Sequence, residues 1–404
     1  MISNTWAAAS AARNGDAAQL ARALRDARAQ TLATFAAFED ALRASRCAVP
    51  YSPQLNPPLW ELGHVGWFQE WWLARFPQRE RGAAADPDVT RTPPRRAQAD
   101  AWFDSGRVAH ATRWDLPLPP APVLRADLEA GLADSLDLLQ QCPHDDQALY
   151  FHRLVLFHED MHHEAAVYMA QHLDIALIGW EPKAHAPVTE LTLPAGTLEL
   201  GAAGAGFVFD NELGPHRVSL DAFDIDSAPV TWARYLEFVE AGGYLERRHW
   251  SDTGWAWLQA QQLAAPRYVR SHGGTWQRRT FGTWLDIDPA LPAMNLSLHE
   301  VQAYCAWARR RLPTEAEWQR AALHDRAFAW GQVWEWTASP FTPFPGFAPH
   351  PYRDYSAPWF GTRQVLRGAA FATQPRMKHP HYRNFFTPDR NDVFAGFRTC
   401  ALQP

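Results

Sequence analysis

Three imidazoles and three carboxylates fall within eight positions, Phe157-His158-Glu159-Asp160-Met161-His162-His163-Glu164, inside a run that reads as a long helix. At about 100° per residue, His158 and His162 lie one turn apart on one face and can grip one ion together. Glu164 lies two residues past His162, roughly 200° further round, so a straight helix turns it away from that ion into a supporting role. A third ligand must come from another segment. A neutral imidazole pair suits Zn, Cu, Ni or Fe(II), and two histidines plus one further ligand with open positions opposite is the pattern of O2-activating non-haem iron. The plainer reading, a polar helix face rich in histidine, sits poorly with Leu154, Phe157 and Met161 at core-like spacings, because unpaired polar groups are costly to bury.

The elements that must position these residues come in order. Leu20, Leu24, Thr31 and Phe35 mark a first helix from Asp16 to about Arg46. Prolines 53, 57 and 58 break the chain, and Leu59 to Trp72 begins a second helix directly after them. His64 lies in this nearly all-apolar segment; a lone histidine there is commonly a satisfied core residue, and here it is the candidate third ligand. Residues 77–122, rich in Arg, Pro and Asp, read as a long connection. Helices from about Leu124 to Gln141 and Asp146 to Leu173 follow, so four helices make a bundle with a metal inside. From Val188 the texture changes to strand-like alternation around Pro194-Ala195-Gly196, and two short helices are expected near Trp232 to Ala241 and Ser297 to Arg310. Two domains result: 1–185, all-α, and 186–404, α+β with much irregular structure, whose loops can close over the metal.

The 404 residues suffice for two cores, and 47% hydrophobic with 20% charged residues describes a soluble globular chain. A net charge of −6 offers no basic face for nucleic acid. No apolar run approaches the ~20 residues of a membrane span, and the N-terminus lacks the pattern of a signal peptide. Cys47, Cys142, Cys305 and Cys400 are dispersed and form no CxxC, which suits a reducing cytoplasm.

Several segments resemble the formylglycine-generating, sulfatase-modifying fold, which is C-type-lectin-like: Phe207-Val208-Phe209-Asp210-Asn211-Glu212, Pro229-Val230-Thr231, Gly242-Gly243-Tyr244, Arg311 to Trp318, Val333-Trp334-Glu335-Trp336-Thr337, Leu366-Arg367-Gly368 and Ala395-Gly396-Phe397-Arg398. The first half, with His158-x3-His162-x-Glu164 and His64 upstream in a Trp-rich helix, resembles the DinB-like bundle of the ergothioneine sulfoxide synthases, which join these two domains in this order. The resemblance implies one Fe(II) held by three histidines, mapping onto His64, His158 and His162. It also implies hercynine, a trimethylated histidine, as the substrate whose imidazole carbon receives a chalcogen in an O2-dependent step. Asn384 matches an asparagine near the betaine end of hercynine, Phe385 and Phe386 could offer aromatic faces to the trimethylammonium, and Arg390 matches an arginine that holds a carboxylate of the sulfur donor. Formylglycine generation itself is excluded, since it needs a close cysteine pair and residues 374–389 contain none.

The chain departs from the family pattern where a phenol is expected. The loop after Trp334-Glu335-Trp336-Thr337 carries Phe344, the N-terminal loop carries Trp102-Phe103, and Phe386 replaces an aspartate that contacts the donor in one branch. A phenyl ring cannot pass the proton or hydrogen atom that a phenol can, which leaves Tyr352 and Tyr355 as candidates for that role. A neutral selenosugar fits these changes, with Trp102, Phe344 and Phe386 as faces for it, and the selenoneine synthase branch is the expected match. γ-Glutamylcysteine or cysteine as thiol donor is the alternative within the family. A reading of another class makes the lectin-like half a ligand-binding module beside a structural zinc, although such sites are usually closed by four ligands.

Overall fold

The computed structural model describes residues 6–204 and 206–402. Its helices are α1 Ala7–Asn14, α2 Ala17–Ala41, α3 Pro58–Trp72, the short α4 Ala99–Phe103, α5 Ala121–Gln141 and α6 Asp146–His172 in the first half. After them come α7 Trp232–Glu240, α8 Asp252–Gln261, α9 Leu298–Ala308 and α10 Glu315–His324. The strands are β1 Glu190–Leu193, β2 Gly196–Leu200, β3 His216–Leu220, β4 Phe223–Asp226, β5 Val269–His272, β6 Thr275–Thr280, β7 Thr283–Asp286, β8 Arg310–Arg311, β9 Trp334–Pro340, β10 Gln364–Gly368, β11 Asn384–Phe386, β12 Ala395–Gly396 and β13 Cys400–Ala401.

Local chemistry sets the helix starts. Asp16 and Gln19 cap each other's backbone at α2, Pro58 opens α3 where no amide hydrogen is needed, and Asp145 accepts from the Ala148 amide at α6. α2, α3, α5 and α6 all pack on one another. The 77–122 connection, expected to be without elements, contains α4, which seats Phe103 against α3.

In the second half β9 and β10 are central in a four-stranded sheet of order β11-β10-β9-β12, with Leu366 opposite Trp336. A second sheet runs β1-β4-β13-β8, a ribbon pairs β2 with β3, and β5-β6-β7 form a meander. β1 and β2 flank the turn at Pro194-Ala195 yet pair with different partners, so the alternation there marks two sheets. Four helices, where two were expected, stand among these strands. α8 is a Trp- and Gln-rich segment with little apolar stripe, and α10 opens on a Thr314–Glu317 capping box inside a motif that otherwise reads as loop.

Buried Trp232, Trp318, Trp334 and Trp336 fill the irregular half. One continuous apolar cluster runs from Leu20 and Phe38 through Phe151 and Phe157 to Phe207, Phe209 and Trp336, joining the two halves. No helix among the described residues is long and apolar enough to cross a membrane.

Candidate metal centre

α6 is buried on nearly every side from Ala148 to Asp160, so each polar residue of its motif needs a partner. Glu159 receives a forked pair of bonds from Arg28 of α2 at 2.8 and 3.0 Å. Asp160 receives a second fork from Arg376 at 2.6 and 2.7 Å, and His163 is bonded to Thr34 and Gln374. Glu164 accepts from the Trp334 indole at 2.6 Å. His158 and His162 remain, and both turn toward α3.

There His64 meets them: the ligand atoms of the three histidines lie within 4.8 Å of one another. His64 and His158 are 2% exposed. The His64 Nδ1–H donates to the Phe103 carbonyl at 2.7 Å, and its ring stacks on Trp60 at 4.7 Å. The His162 Nδ1–H donates to Glu61 at 2.5 Å, and Asn56 donates to the other Glu61 oxygen. Each bond fixes one tautomer and leaves Nε2 of that ring with its lone pair. The buried Nε2 of His158 has no hydrogen-bond partner, while its ring lies flat on Phe68 at 3.5 Å. An orphaned buried nitrogen beside two free ones is the donor set a cation would complete.

Electrostatics favours the same state. Burial, helped by the neighbouring imidazoles, pushes His64 down to about 3 and His158 well below its ordinary value. Burial works against the charged Glu61 carboxylate, but His162, His64 and Asn56 outweigh it and hold Glu61 at about 2. At His64 and His158 burial thus favours the neutral imidazole, the form that binds a metal.

The other residues singled out in the sequence divide. Tyr352 comes close, its ring 4.9 Å from Phe68 and 6.2 Å from His158. Tyr355 stacks on Phe209 and donates to the Tyr382 hydroxyl at 3.3 Å, and that hydroxyl donates to Met161 Sδ at 3.4 Å. Phe344 is displaced from the expected place: it is buried in a satellite core with Leu198, Leu200 and Ala316, beneath the Arg383 guanidinium. Phe103 serves through its carbonyl, because its ring packs into the space that Gly63 leaves on α3. Trp102 is half-buried against the core, and its carbonyl accepts from Trp60.

On β11, the Asn384 side chain accepts from the Phe385 amide, and Phe385 stacks on Phe341 at 4.1 Å, which occupies one ring face. Arg390 lies over Phe386 at 5.0 Å and is forked onto Asp392 at 2.6 and 2.8 Å, so its guanidinium is already paired. The same guanidinium lies 5.6 Å from the Tyr168 ring of α6. Burial pushes the Tyr168 phenol up to about 12, with Arg390 opposing and Asp392 and Glu61 adding to the rise. Glu61, Asn56 and Tyr168 were not singled out from the sequence. Glu61 had a signal, standing three residues before His64 on the same helical face.

Residues 177–332 and 323–402 match the sulfatase-modifying factor enzyme 1-like domain. The chain is 32% identical over 405 residues to the hercynine oxygenase of Mycolicibacterium smegmatis, covering 86% of this chain and 91% of that protein. To the hercynine oxygenase of Mycobacterium tuberculosis it is 32% identical over 443 residues, covering 94% and 98%. To that of Mycolicibacterium thermoresistibile it is 34% identical over 445 residues, covering 94% of each. The second half is thus a sulfatase-modifying-factor, C-type-lectin-like domain. With the helical half before it, the chain belongs to the hercynine oxygenase family.

Proposed function

We propose that this protein is an O2-dependent, mononuclear non-haem Fe(II) enzyme that joins the imidazole carbon of hercynine to the selenium of a selenosugar, a selenoneine synthase. The observation that carries a metal-dependent reading is the cluster of buried His64 and His158 with half-buried His162, with free nitrogens converging and hydrogen bonds holding two of the rings. Bound iron supplies the redox chemistry with O2 that removal of electrons from the C–H and Se–H partners requires. The chain's own residues do the rest. Glu61 and the Phe103 carbonyl orient the ligands, and the surrounding Trp60, Phe68 and Trp67 exclude water.

Tyr352 is the phenol best placed to hold or pass a proton beside the centre. Asn384 and Phe386 face hercynine in this reading, and Arg390, which lies over Phe386 and beside the Tyr168 ring, stands on the donor side. The helical half, 1–185, is taken as DinB-like and the second domain as 186–404, and the cytoplasm as the location. The selenium preference rests on the phenylalanines at 103, 344 and 386. Since Phe344 and the Phe103 ring pack away from the cluster, Phe386 carries most of that weight.

The relatives are named for hercynine and its oxygenation, which fits equally a second reading, a C–S bond-forming ergothioneine sulfoxide synthase using γ-glutamylcysteine or cysteine. A structural zinc would call for a fourth ligand, and among the described residues the clustered donors number three. Product mass spectrometry with hercynine, Fe(II), O2 and selenosugar, thiosugar or γ-glutamylcysteine in parallel tests the proposal. A C–Se product formed fastest from the selenosugar is expected. Faster conversion of γ-glutamylcysteine to a sulfoxide overturns the selenium reading, and inert bound zinc overturns the enzyme.

A further inference from the structure

Beyond Glu61 the hydrogen bonds continue outward. The Asn56 amide nitrogen donates to Glu61, and its carbonyl oxygen accepts from the Arg113 guanidinium at 2.7 Å. An amide held at both ends is polarised along its length, so the cation strengthens the bond that Asn56 gives the carboxylate. The same guanidinium lies over the Trp60 ring at 3.9 Å, and that indole stacks on His64 at 4.7 Å. Arg113 thus bears on two of the three histidines by two routes, one through Asn56 and Glu61 to His162 and one through Trp60 to His64. It comes from the 77–122 connection, on the short turn His110–Trp114. The His110 ring donates to the Leu55 carbonyl at 2.7 Å and the Trp114 indole to the Val49 carbonyl at 3.0 Å, which docks this turn on the chain just before α3.

The acceptors that Arg113 bonds are all neutral: the Asn56 amide and the Ser105 and Val108 carbonyls, the last two at 3.5 and 3.3 Å. Its Nε is buried without a partner, a cost that a smaller apolar residue on Trp60 would not carry. Its charge is therefore left to act on Glu61 and His64. We propose that Arg113 is a positioning residue for the metal centre, which holds Glu61 through Asn56 and whose positive charge favours the lower oxidation state of the bound metal. Two effects share that sign. A nearby cation disfavours the more highly charged metal. A carboxylate relieved of its outer bond also pulls harder on the His162 Nδ1–H, which makes that imidazole a stronger donor and favours the higher state. The inference rests on the reading of the three histidines as a metal centre and is independent of which chalcogen is transferred.

The test uses the full chain without hercynine or donor. Chelator competition with Co(II) gives the affinity, and an anaerobic redox titration of the iron-loaded protein, followed by the EPR signal of Fe(III), gives the potential. Arg113→Met keeps a side chain over Trp60 but no charge. It is expected to weaken Co(II) about tenfold and to raise the preference for Fe(III) over Fe(II) about tenfold, a fall of about 59 mV for one electron. Arg113→Lys is expected to hold the potential near that of the wild type yet lose affinity, since an ammonium cannot bond edge-on and stack at once. Asn56→Leu breaks the relay at its middle, and adding Arg113→Met to it is expected to cost little further affinity. A loop anchor of purely structural role would lower the melting temperature and leave the potential in place, so an unchanged potential in Arg113→Met overturns the inference. Affinity losses that simply add in the double variant overturn it too. If Arg113→Met does not fold, Asn56→Leu decides: a lowered potential supports the relay and an unchanged one overturns it. A wild-type chain that binds neither metal overturns the metal reading itself, whereas a normal wild-type centre indifferent to both residues overturns this inference alone.

Discussion

Glu61 decides where His162 points. Its carboxylate is pinned between Asn56 and the His162 Nδ1–H, and without it the half-buried imidazole loses its only fixed orientation. Loss of such a supporting carboxylate typically costs 10–100-fold in metal affinity. Glu61→Ala is therefore expected to weaken Co(II) or Fe(II) binding by about that factor in anaerobic titration. Glu164→Ala is expected to keep the metal, because Glu164 is spent on Trp334. A Glu164→Ala protein stripped as fully as His162→Ala would show the ligand set to be wrong. Much of this was legible in the sequence: the 100° geometry of a helix separates His158 and His162 from Glu164. The Phe103 carbonyl was not, since a backbone oxygen leaves no mark in residue identity and its placement depends on a helix of five residues in a long connection. Phe344 was misplaced for a similar reason, as its loop ran under β2 and β3 instead of over the metal.

At the scale of elements, α3 holds His64 in place only if α4 seats closely against it at Gly63. A Cβ there would lie 2.2 Å from the Phe103 ring, so the alanine that ordinarily favours a helix interior must push α4 outward. Gly63→Ala is expected to lower stability by about 1–3 kcal/mol, read by denaturant unfolding, and to weaken metal binding as the His64 bond to Phe103 stretches. α6 also docks the second half, and Lys378 records that contact. Burial lowers its ammonium from the usual 10.5 to about 8, with Glu164 partly opposing, while its Nζ donates to the Gly331 carbonyl. The folded pKa lies below the unfolded one, so between pH 8 and 10.5 the unfolded chain holds a proton that the fold has released. Stability from this group therefore rises with pH across that window. Thermal melts of Lys378→Met should lack that rise, and identical pH profiles would place the lysine in water. Helices with an apolar stripe were readable in advance, whereas α8 and α10, the first weakly striped and the second inside a loop-like motif, were not.

Across the whole molecule the two halves are legible as a change of sequence texture, yet they do not behave as separate bodies. Phe157 of α6 packs against Phe207 and Phe209 at 5.0 and 5.7 Å, and Tyr150 meets Phe207 and His350. Arg13 reaches from α1 to Glu212, a buried pair at 2.7 Å whose side chains are 6% and 0% exposed. Leaving either charge alone in that place costs about 3–5 kcal/mol, which makes the seam intolerant of partial loss. Removing residues 186–404 is a different insult: it exposes the apolar side of α6, Tyr150 and Phe157, that Phe207 and Phe209 now cover. A helix that is buried nearly all round cannot present such a face to water and keep fixed packing. Residues 1–185 alone are thus expected to bind an apolar dye, to melt without a sharp transition and to hold metal more weakly than the full chain, although all three histidines are present. A monomeric fragment with a cooperative melt and full-length metal affinity would mean that the bundle builds its centre unaided. The contact of α6 with the lectin-like domain would then serve only to deliver substrate.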